Sequence, residues 1–141
     1  FFAGYNNVTG TNNTYVGFEA GKGASGQSNG DNTAVGKDAL LSVTTGSNNS
    51  ILGGLAGDAI TTGKENIVIG HQAETSAVDT DNEILIGHHL NGIGSKKIII
   101  GNTSEDITME FSDNMPLKLE FNLGEAGGKL AFYLAPRIED N

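Results

Sequence analysis

The chain has 141 residues, with 8 basic and 17 acidic side chains, a net charge of −9 and no cysteine. This charge balance argues against nucleic acid and anionic membranes as partners, because both require basic protein surface. The lack of cysteine excludes disulfide bonds and thiolate metal sites. No apolar run reaches the length of a membrane helix. The chain begins Phe1-Phe2-Ala3 without a start methionine or a signal peptide. We therefore expect a fragment of a longer protein.

A repeat of 17 residues, with small variations, runs through most of the chain. Each copy ends in a glycine that follows an aliphatic residue, and these anchor glycines are Gly17, Gly36, Gly53, Gly70, Gly87 and Gly101. Their spacings are 19, 17, 17, 17 and 14 residues. A period this short fits one coil of a solenoid, in which a strand, a turn, a second short strand and another turn stack on the next coil through parallel pairing. The sequence therefore predicts an all-β parallel β-roll of about six coils over residues 1–104.

Residues at the same distance from successive anchor glycines form what is here called a column, and the columns of the repeat differ in polarity. Four residues before the first four anchors stand Asn13, Asn32, Asn49 and Asn66, which we expect in turns where their side chains stack into ladders. The residue one before each anchor is always aliphatic, and we predict that this column fills the coil interior. Three residues after the first four anchors stand the small residues Ala20, Ala39, Ala56 and Ala73, which are predicted to lie opposite that column in a thin coil.

The column two residues before each anchor predicts self-association. Strand alternation directs this column outward if its neighbours fill the coil, yet it is aliphatic in the last four coils. Soluble proteins avoid an exposed aliphatic stripe unless it is an interface, and cyclic symmetry around a common axis closes such a stripe. Because three copies suit a narrow fibre, we predict a homotrimer. The predicted trimer interface consists of Ile51, Val68, Leu85 and Ile99.

The repeat ends after Gly101, and residues 105–141 instead alternate apolar and polar side chains. Three alternating segments, 107–111, 117–123 and 130–134, are separated by turn signals and predict a small antiparallel β tip domain. Tyr133 stands beside Phe132 on the last segment, with Arg137 nearby. We predict Tyr133 and Arg137 as ligand-binding residues, since aromatic and arginine side chains often anchor recognition. The alternative is that Tyr133 packs between subunits.

Three histidines occupy neighbouring repeat positions. His71 and His88 each follow an anchor glycine, one coil apart, and His89 is adjacent to His88. Three copies of such residues near a trimer axis would supply several imidazole ligands for a metal ion. The favoured interpretation is that they are surface turn residues, because the same column also holds Phe18 and Lys37. We therefore predict no metal and no cofactor.

No arrangement of residues predicts catalysis. The acidic pairs Asp79 with Asp81 and Glu105 with Asp106 are interpreted as solvated loops, although a glycoside hydrolase would need two carboxyl groups flanking its sugar. Serine, histidine and acidic residues lack any nucleophile motif, and the repeat lacks the glycine and aspartate pattern of calcium-binding β-rolls. We therefore predict that the chain is not an enzyme and has no catalytic residues.

The repeat unit resembles that of trimeric fibre proteins. The motif N-T-A-V-G-x-x-A from Asn32 to Ala39, with T-T-G from Thr44 to Gly46, is similar to head repeats of trimeric autotransporter adhesins, and to repeats of phage tail fibres and of fibre proteins from predatory bacteria. The resemblance covers residues 1–104. It implies a left-handed β-roll, trimerised along the axis of an extracellular fibre on a bacterial cell surface or virion. Because the adhesin head repeat is typically shorter than 17 residues, a phage-type or other trimeric fibre is the better match.

The function implied by this resemblance is adhesion or receptor binding. The chain is then a distal fragment of a homotrimeric fibre, with the coils as a rigid spacer and a tip that contacts a cell-surface glycan or protein. Two alternatives stay open, namely a fibre-borne polysaccharide depolymerase and a trimerisation or assembly domain without a ligand. An ice-binding solenoid is disfavoured, because its regular threonine array is replaced by isoleucine from Ile67 onward.

Overall fold

The computed structural model describes residues 1–101, 117–122 and 129–134. The chain forms two compact units, Phe1–Ile107 and Thr108–Asn141. The first unit contains the strands β1 (Thr14–Val16), β2 (Thr33–Val35), β3 (Ser50–Leu52), β4 (Ile67–Ile69), β5 (Ile84–Ile86) and β6 (Ile98–Ile100). The second contains β7 (Leu117–Asn122) and β8 (Lys129–Leu134). Across the described residues, no helix is both long enough and apolar enough to span a bilayer.

Strands β1 to β6 form one parallel sheet in chain order. Equivalent repeat positions pair, so that Ile51 lies opposite Val68 and Val68 opposite Leu85. Hydrogen bonds join successive coils at each strand, as where the Ser50 amide donates to the Asn66 carbonyl at 2.8 Å. The all-β solenoid and the register set by the anchor glycines are therefore confirmed.

Turns, rather than the predicted second strand, form the wall of the coil opposite the sheet. Within residues 1–101, pairing outside the named strands is limited to isolated parallel bridges such as Glu74 with Asn91. The second residue after each of five anchors has a φ between 52° and 57°, and these residues are Glu19, Asp38, Leu55, Gln72 and His89. A residue in this left-handed region bends the backbone out of the extended conformation. Each of these five coils therefore turns directly after its strand.

The anchor glycines end each strand at a point of close approach between coils. Gly53 and Gly70 have φ values of 141° and 137°, a conformation that residues with a Cβ rarely adopt. A Cβ added at Gly53 would also overlap the carbonyl group of Gly70 in the next coil. Both constraints explain why every coil has glycine at this position.

The core lies inside the coils, and it reverses the predicted facing of the strands. The middle residues Ile51, Val68 and Leu85 are at most 2% exposed, and Ile99 packs against the same core. The opposing alanines Ala20, Ala39, Ala56 and Ala73 are fully buried, as predicted. The prediction that Ile51, Val68, Leu85 and Ile99 point outward to form a trimer interface is therefore wrong. The column one before each anchor, predicted to be internal, faces outward instead.

A ladder of buried asparagines explains this facing. Asn32, Asn49 and Asn66 are at most 1% exposed. The Oδ1 of Asn49 accepts from the backbone amide of Asn66 at 3.0 Å, and the same bond links Asn32 to Asn49 and Asn13 to Asn32. Asn49 and Ile51 are two residues apart, so they lie on the same side of the strand. The ladder was predicted, but its position inside the coil was not.

The second unit contains an antiparallel pair of strands. Leu117 of β7 lies opposite Leu134 of β8, and Asn122 lies opposite Lys129. These strands coincide with two of the three predicted segments. The third predicted segment, 107–111, lies outside the described residues.

Candidate functional site

An uncharged surface, here called the outer face, covers the outside of the six-stranded sheet. It consists of the first and last residue of every strand: Thr14, Val16, Thr33, Val35, Ser50, Leu52, Ile67, Ile69, Ile84, Ile86, Ile98 and Ile100. Nine of these residues are aliphatic and three carry a hydroxyl group. By contrast, 18% of the whole chain is charged. The outer face is thus an apolar surface on an acidic protein.

Burial of the outer face would release substantial free energy. Seven of its aliphatic side chains are exposed, from 36% at Ile67 to 70% at Ile98. Together they amount to about 3.4 fully exposed side chains, so complete coverage would contribute about 5 to 10 kcal/mol per chain. Scattered aliphatic residues are normal on protein surfaces, but a contiguous patch of them marks an interaction site.

Polarity changes along the outer face. The first residue of each strand is Thr14, Thr33 or Ser50 in β1 to β3, and isoleucine in β4 to β6. The amino-terminal half of the face therefore combines hydroxyl and aliphatic side chains. The carboxy-terminal half is aliphatic throughout. This gradient gives the face a direction along the stack of coils.

The three histidines of the chain form one cluster on the surface beyond β4 and β5. Donor nitrogens from His71, His88 and His89 all lie within 4.8 Å of one another, and all three side chains are exposed. The rings of His71 and His88 are stacked, with centroids 5.5 Å apart. Partial desolvation, followed by the charges of His89 and His71, lowers the pKa of His88. The structure thus brings together three residues that were interpreted from the sequence as surface turn residues.

A pair of carboxyl groups lies between successive coils on the side opposite the sheet. Burial and a hydrogen bond with Asp58 raise the pKa of Glu74 to about 7, while hydrogen bonds from the amides of Ala59 and Thr75 partly oppose this shift. The Ala59 amide donates to Glu74 Oε2 at 3.2 Å. Glu74 therefore retains a proton at a pH where an ordinary glutamate is ionised.

The remaining residues named from the sequence are an exposed acidic pair and residues that lie partly or wholly outside the described structure. Asp79 and Asp81 are both exposed, and Asp81 accepts a hydrogen bond from the Lys64 amide at 2.7 Å. Tyr133 lies in β8 opposite Lys118, but its side chain is outside the described part of the structure. Arg137, Glu105 and Asp106 lie outside the described residues.

Sequence reasoning missed the Asp58–Glu74 pair. The signal was present, because the two residues lie 16 positions apart in a repeat of about 17 residues and therefore fall on neighbouring coils. The pair was missed because Asp58 is five residues after its anchor glycine and Glu74 is four residues after its own. A comparison of residues at equal distances from the anchor does not align them.

Comparison with known proteins gives one local similarity. A 38-residue stretch, 26% of the chain, is 50% identical to a "DNA polymerase sliding clamp" from Methanopyrus kandleri strain AV19, and it covers 15% of that protein. The chain thus spans well under two thirds of this relative. No protein-family model matches the sequence. No solved structure matches it either.

Proposed function

We propose that this chain is a segment of a homotrimeric fibre, in which the coils form a left-handed β-roll and act as a rigid spacer. The outer face of each chain is buried against the outer faces of two other copies. The observation that carries the proposal is that this face is contiguous, uncharged and largely aliphatic. The self-association predicted from the sequence is retained, but the residues that mediate it are those of the outer face.

The periodicity of the outer face favours a second copy as its partner. Parallel pairing spaces the coils by about 4.8 Å, so the aliphatic side chains recur at that interval along the stack. Another copy of the chain has the same interval, and its ridges and grooves can match over all six strands. The gain of about 5 to 10 kcal/mol per chain is comparable to the lower estimates of the entropic cost of association, 4 kcal/mol and upward.

The polarity gradient favours copies that point in the same direction. In a parallel arrangement, Thr14 and Thr33 meet hydroxyl-bearing positions of the neighbours, while Ile98 meets isoleucine. In an antiparallel arrangement, the hydroxyl groups would be buried against isoleucine without a hydrogen-bond partner, which is unfavourable. Parallel copies around one axis are the cyclic symmetry that a fibre requires.

The proposal assigns receptor contact to the C-terminal unit, on a cell-surface glycan or protein in the extracellular space. Its support is the resemblance of the repeat to that of fibre proteins, together with the candidate residues Tyr133 and Arg137. Three tips on one fibre would bind multivalently, so weak individual sites act together where their spacing matches the target. A sliding-clamp role forms no part of the proposal, because the local match covers 15% of that relative.

Light scattering of the chain tests the proposed association directly. We expect a mass near three times 14.6 kDa that persists on dilution. The double variant Ile69→Asn, Ile86→Asn places two amides on the outer face without touching the core. It is expected to dissociate into folded monomers, because both amides would be buried without partners.

The matched control is Val78→Asn, which makes the same kind of change at an exposed side chain away from the outer face. This variant is expected to keep the mass of the parent chain. A parent chain that is a folded monomer at high concentration would contradict the proposal. Equal masses for the parent chain and the outer-face double variant would show that association uses another surface.

A further inference from the structure

We propose that His71, His88 and His89 form a binding site for one divalent transition-metal ion within each chain. The site joins two successive coils of the solenoid. All three histidines of the chain belong to it, and the chain has no cysteine that would offer a competing soft ligand. The inference does not depend on the proposed fibre function.

The repeat positions two of the ligands. His71 and His88 directly follow Gly70 and Gly87, so they occupy the same position on neighbouring coils. Parallel pairing places such positions about 4.8 Å apart, and their rings accordingly stack with an interplanar angle of 18°. Gly54 occupies this position one coil earlier, where a Cβ would lie 3.5 Å from Cδ2 of His71. The absence of a side chain at Gly54 leaves that side of the His71 ring open.

The turn positions the third ligand. His89 has a φ of 52°, and its amide donates to the carbonyl of His71 at 2.9 Å. This hydrogen bond holds the backbone of His89 against the preceding coil. The ring centroid of His89 consequently lies 4.1 Å from that of His88 and 5.6 Å from that of His71.

Small side-chain rotations complete the coordination geometry. Three nitrogens bound to one ion at about 2.1 Å in tetrahedral geometry lie about 3.4 Å apart. The donor atoms here are all within 4.8 Å of one another, and exposed imidazoles have the freedom to close the difference. Three imidazoles suit zinc, copper or nickel, whereas magnesium and calcium prefer oxygen ligands. The fourth position stays open to water or another ligand.

Titration calorimetry of the tag-free chain with zinc chloride tests the site. We expect one zinc ion per chain, with no competition from magnesium or calcium. His89→Gln is expected to weaken zinc binding at least tenfold. Glutamine is compatible with this turn, because Gln72 occupies the equivalent position one coil earlier with a φ of 55°. His88→Asn is expected to have a similar effect, and asparagine occurs in the same sequence column at Asn102. Asp79→Asn removes an exposed acid outside the cluster and is expected to leave the affinity unchanged.

Three results would overturn the inference. The first is an absence of saturable zinc binding, and the second is an unchanged affinity in either histidine variant. The third is a stoichiometry of one zinc per three chains, which would indicate a site on a symmetry axis. If a variant does not fold, modification of the parent chain by diethyl pyrocarbonate replaces it. Saturating zinc should then protect all three imidazoles, and undiminished modification would refute the site.

Discussion

Replacement of Asn49 by alanine tests whether the buried ladder stabilises the solenoid. Its side chain accepts from the Asn66 amide and from Asn66 Nδ2, at 3.0 and 3.1 Å. It donates to Asn32 Oδ1 at 3.0 Å and to the Gly63 carbonyl at 2.9 Å. All four bonds are lost in Asn49→Ala. The backbone amide of Asn49 still donates to Asn32 Oδ1 in the variant, so this oxygen keeps a hydrogen-bond partner.

The loss is large because the site is closed to water. Asn49 is 1% exposed, and its removal leaves the Asn66 amide and the Gly63 carbonyl buried without their partners. Each such group costs about 1 to 3 kcal/mol, so we expect Asn49→Ala to lower the free energy of unfolding by about 2 to 6 kcal/mol. That is a large part of the typical total stability of a domain, about 5 to 15 kcal/mol.

Urea denaturation followed by circular dichroism measures this change. Association also contributes to stability, so every variant is compared at the same chain concentration. Asn91→Ala removes an exposed asparagine and serves as the control, with an expected change within about 0.5 kcal/mol. A loss below about 1 kcal/mol in Asn49→Ala would refute the argument, because it would mean that water or rearranged neighbours satisfy the two groups.

Two further predictions concern Glu74 and the tip. Because the folded-state pKa of Glu74 is raised from 4.5 to about 7, its contribution to stability is present at low pH and is lost as pH rises from about 4.5 to 7. Glu74→Gln should remove this decline in the free energy of unfolding, which we expect to be on the order of 1 kcal/mol because Glu74 is partly exposed. Urea denaturation of the parent chain and the variant across this pH range measures it. Parallel pH profiles for the two chains would contradict the prediction. Tyr133→Ala is expected to abolish binding of the intact trimer to a glycan array while leaving its mass unchanged, and retained binding would remove Tyr133 from the proposed receptor site.

The sequence predicts the stacking of the coils well, because stacking depends on features that recur at a fixed interval. The anchor glycines alone define the register, and the observed pairs such as Ile51 with Val68 follow it. The buried alanines and the existence of the asparagine ladder follow from the same repeat. A column comparison detects each of these features, since neighbouring coils must offer equivalent residues for parallel pairing.

The sequence does not reveal which side of each strand faces the core. In β4 to β6, three consecutive aliphatic residues make both sides equally apolar, so alternation has no contrast to detect. The earlier coils contain the missing signal. In β1 to β3, the residue before the middle position of the strand is Thr14, Thr33 or Ser50. A hydroxyl group without a hydrogen-bond partner is more stable in water, so these residues face outward and the middle residue faces the core. The uniform aliphatic column before the anchor is conserved between coils because it lines the outer face.

The cluster of histidines was recognisable only in part. His71 and His88 share a column, and that relation follows from the repeat. The participation of His89 depends on a left-handed φ within the turn, and the comparison of repeat columns does not indicate that conformation. An extended backbone directs adjacent side chains to opposite faces, whereas this turn brings the rings of His88 and His89 to 4.1 Å.

The end of the asparagine ladder shows how one substitution matches a change in coil length. The Nδ2 groups of Asn49 and Asn66 donate to carbonyl groups 14 residues ahead, on Gly63 and Thr80. At the next position the ladder residue is Glu83, and the following spacing falls from 17 to 14 residues. The shorter turn presents amides instead of a carbonyl, and Glu83 Oε1 accepts from Ile93 and Gly94 at 2.8 and 3.0 Å.

A carboxylate is suited to this position, because it accepts hydrogen bonds and has no donor that would need a carbonyl. Its additional methylene also extends the acceptor further from the strand than an asparagine would. Glu83 is fully buried, so these amides take the place of water around its carboxylate. The backbone amide of Glu83 still donates to Asn66 Oδ1 at 2.9 Å, which keeps the ladder continuous up to its last member. The break in the asparagine column is therefore a consequence of the shorter coil, and both features occur together in the sequence.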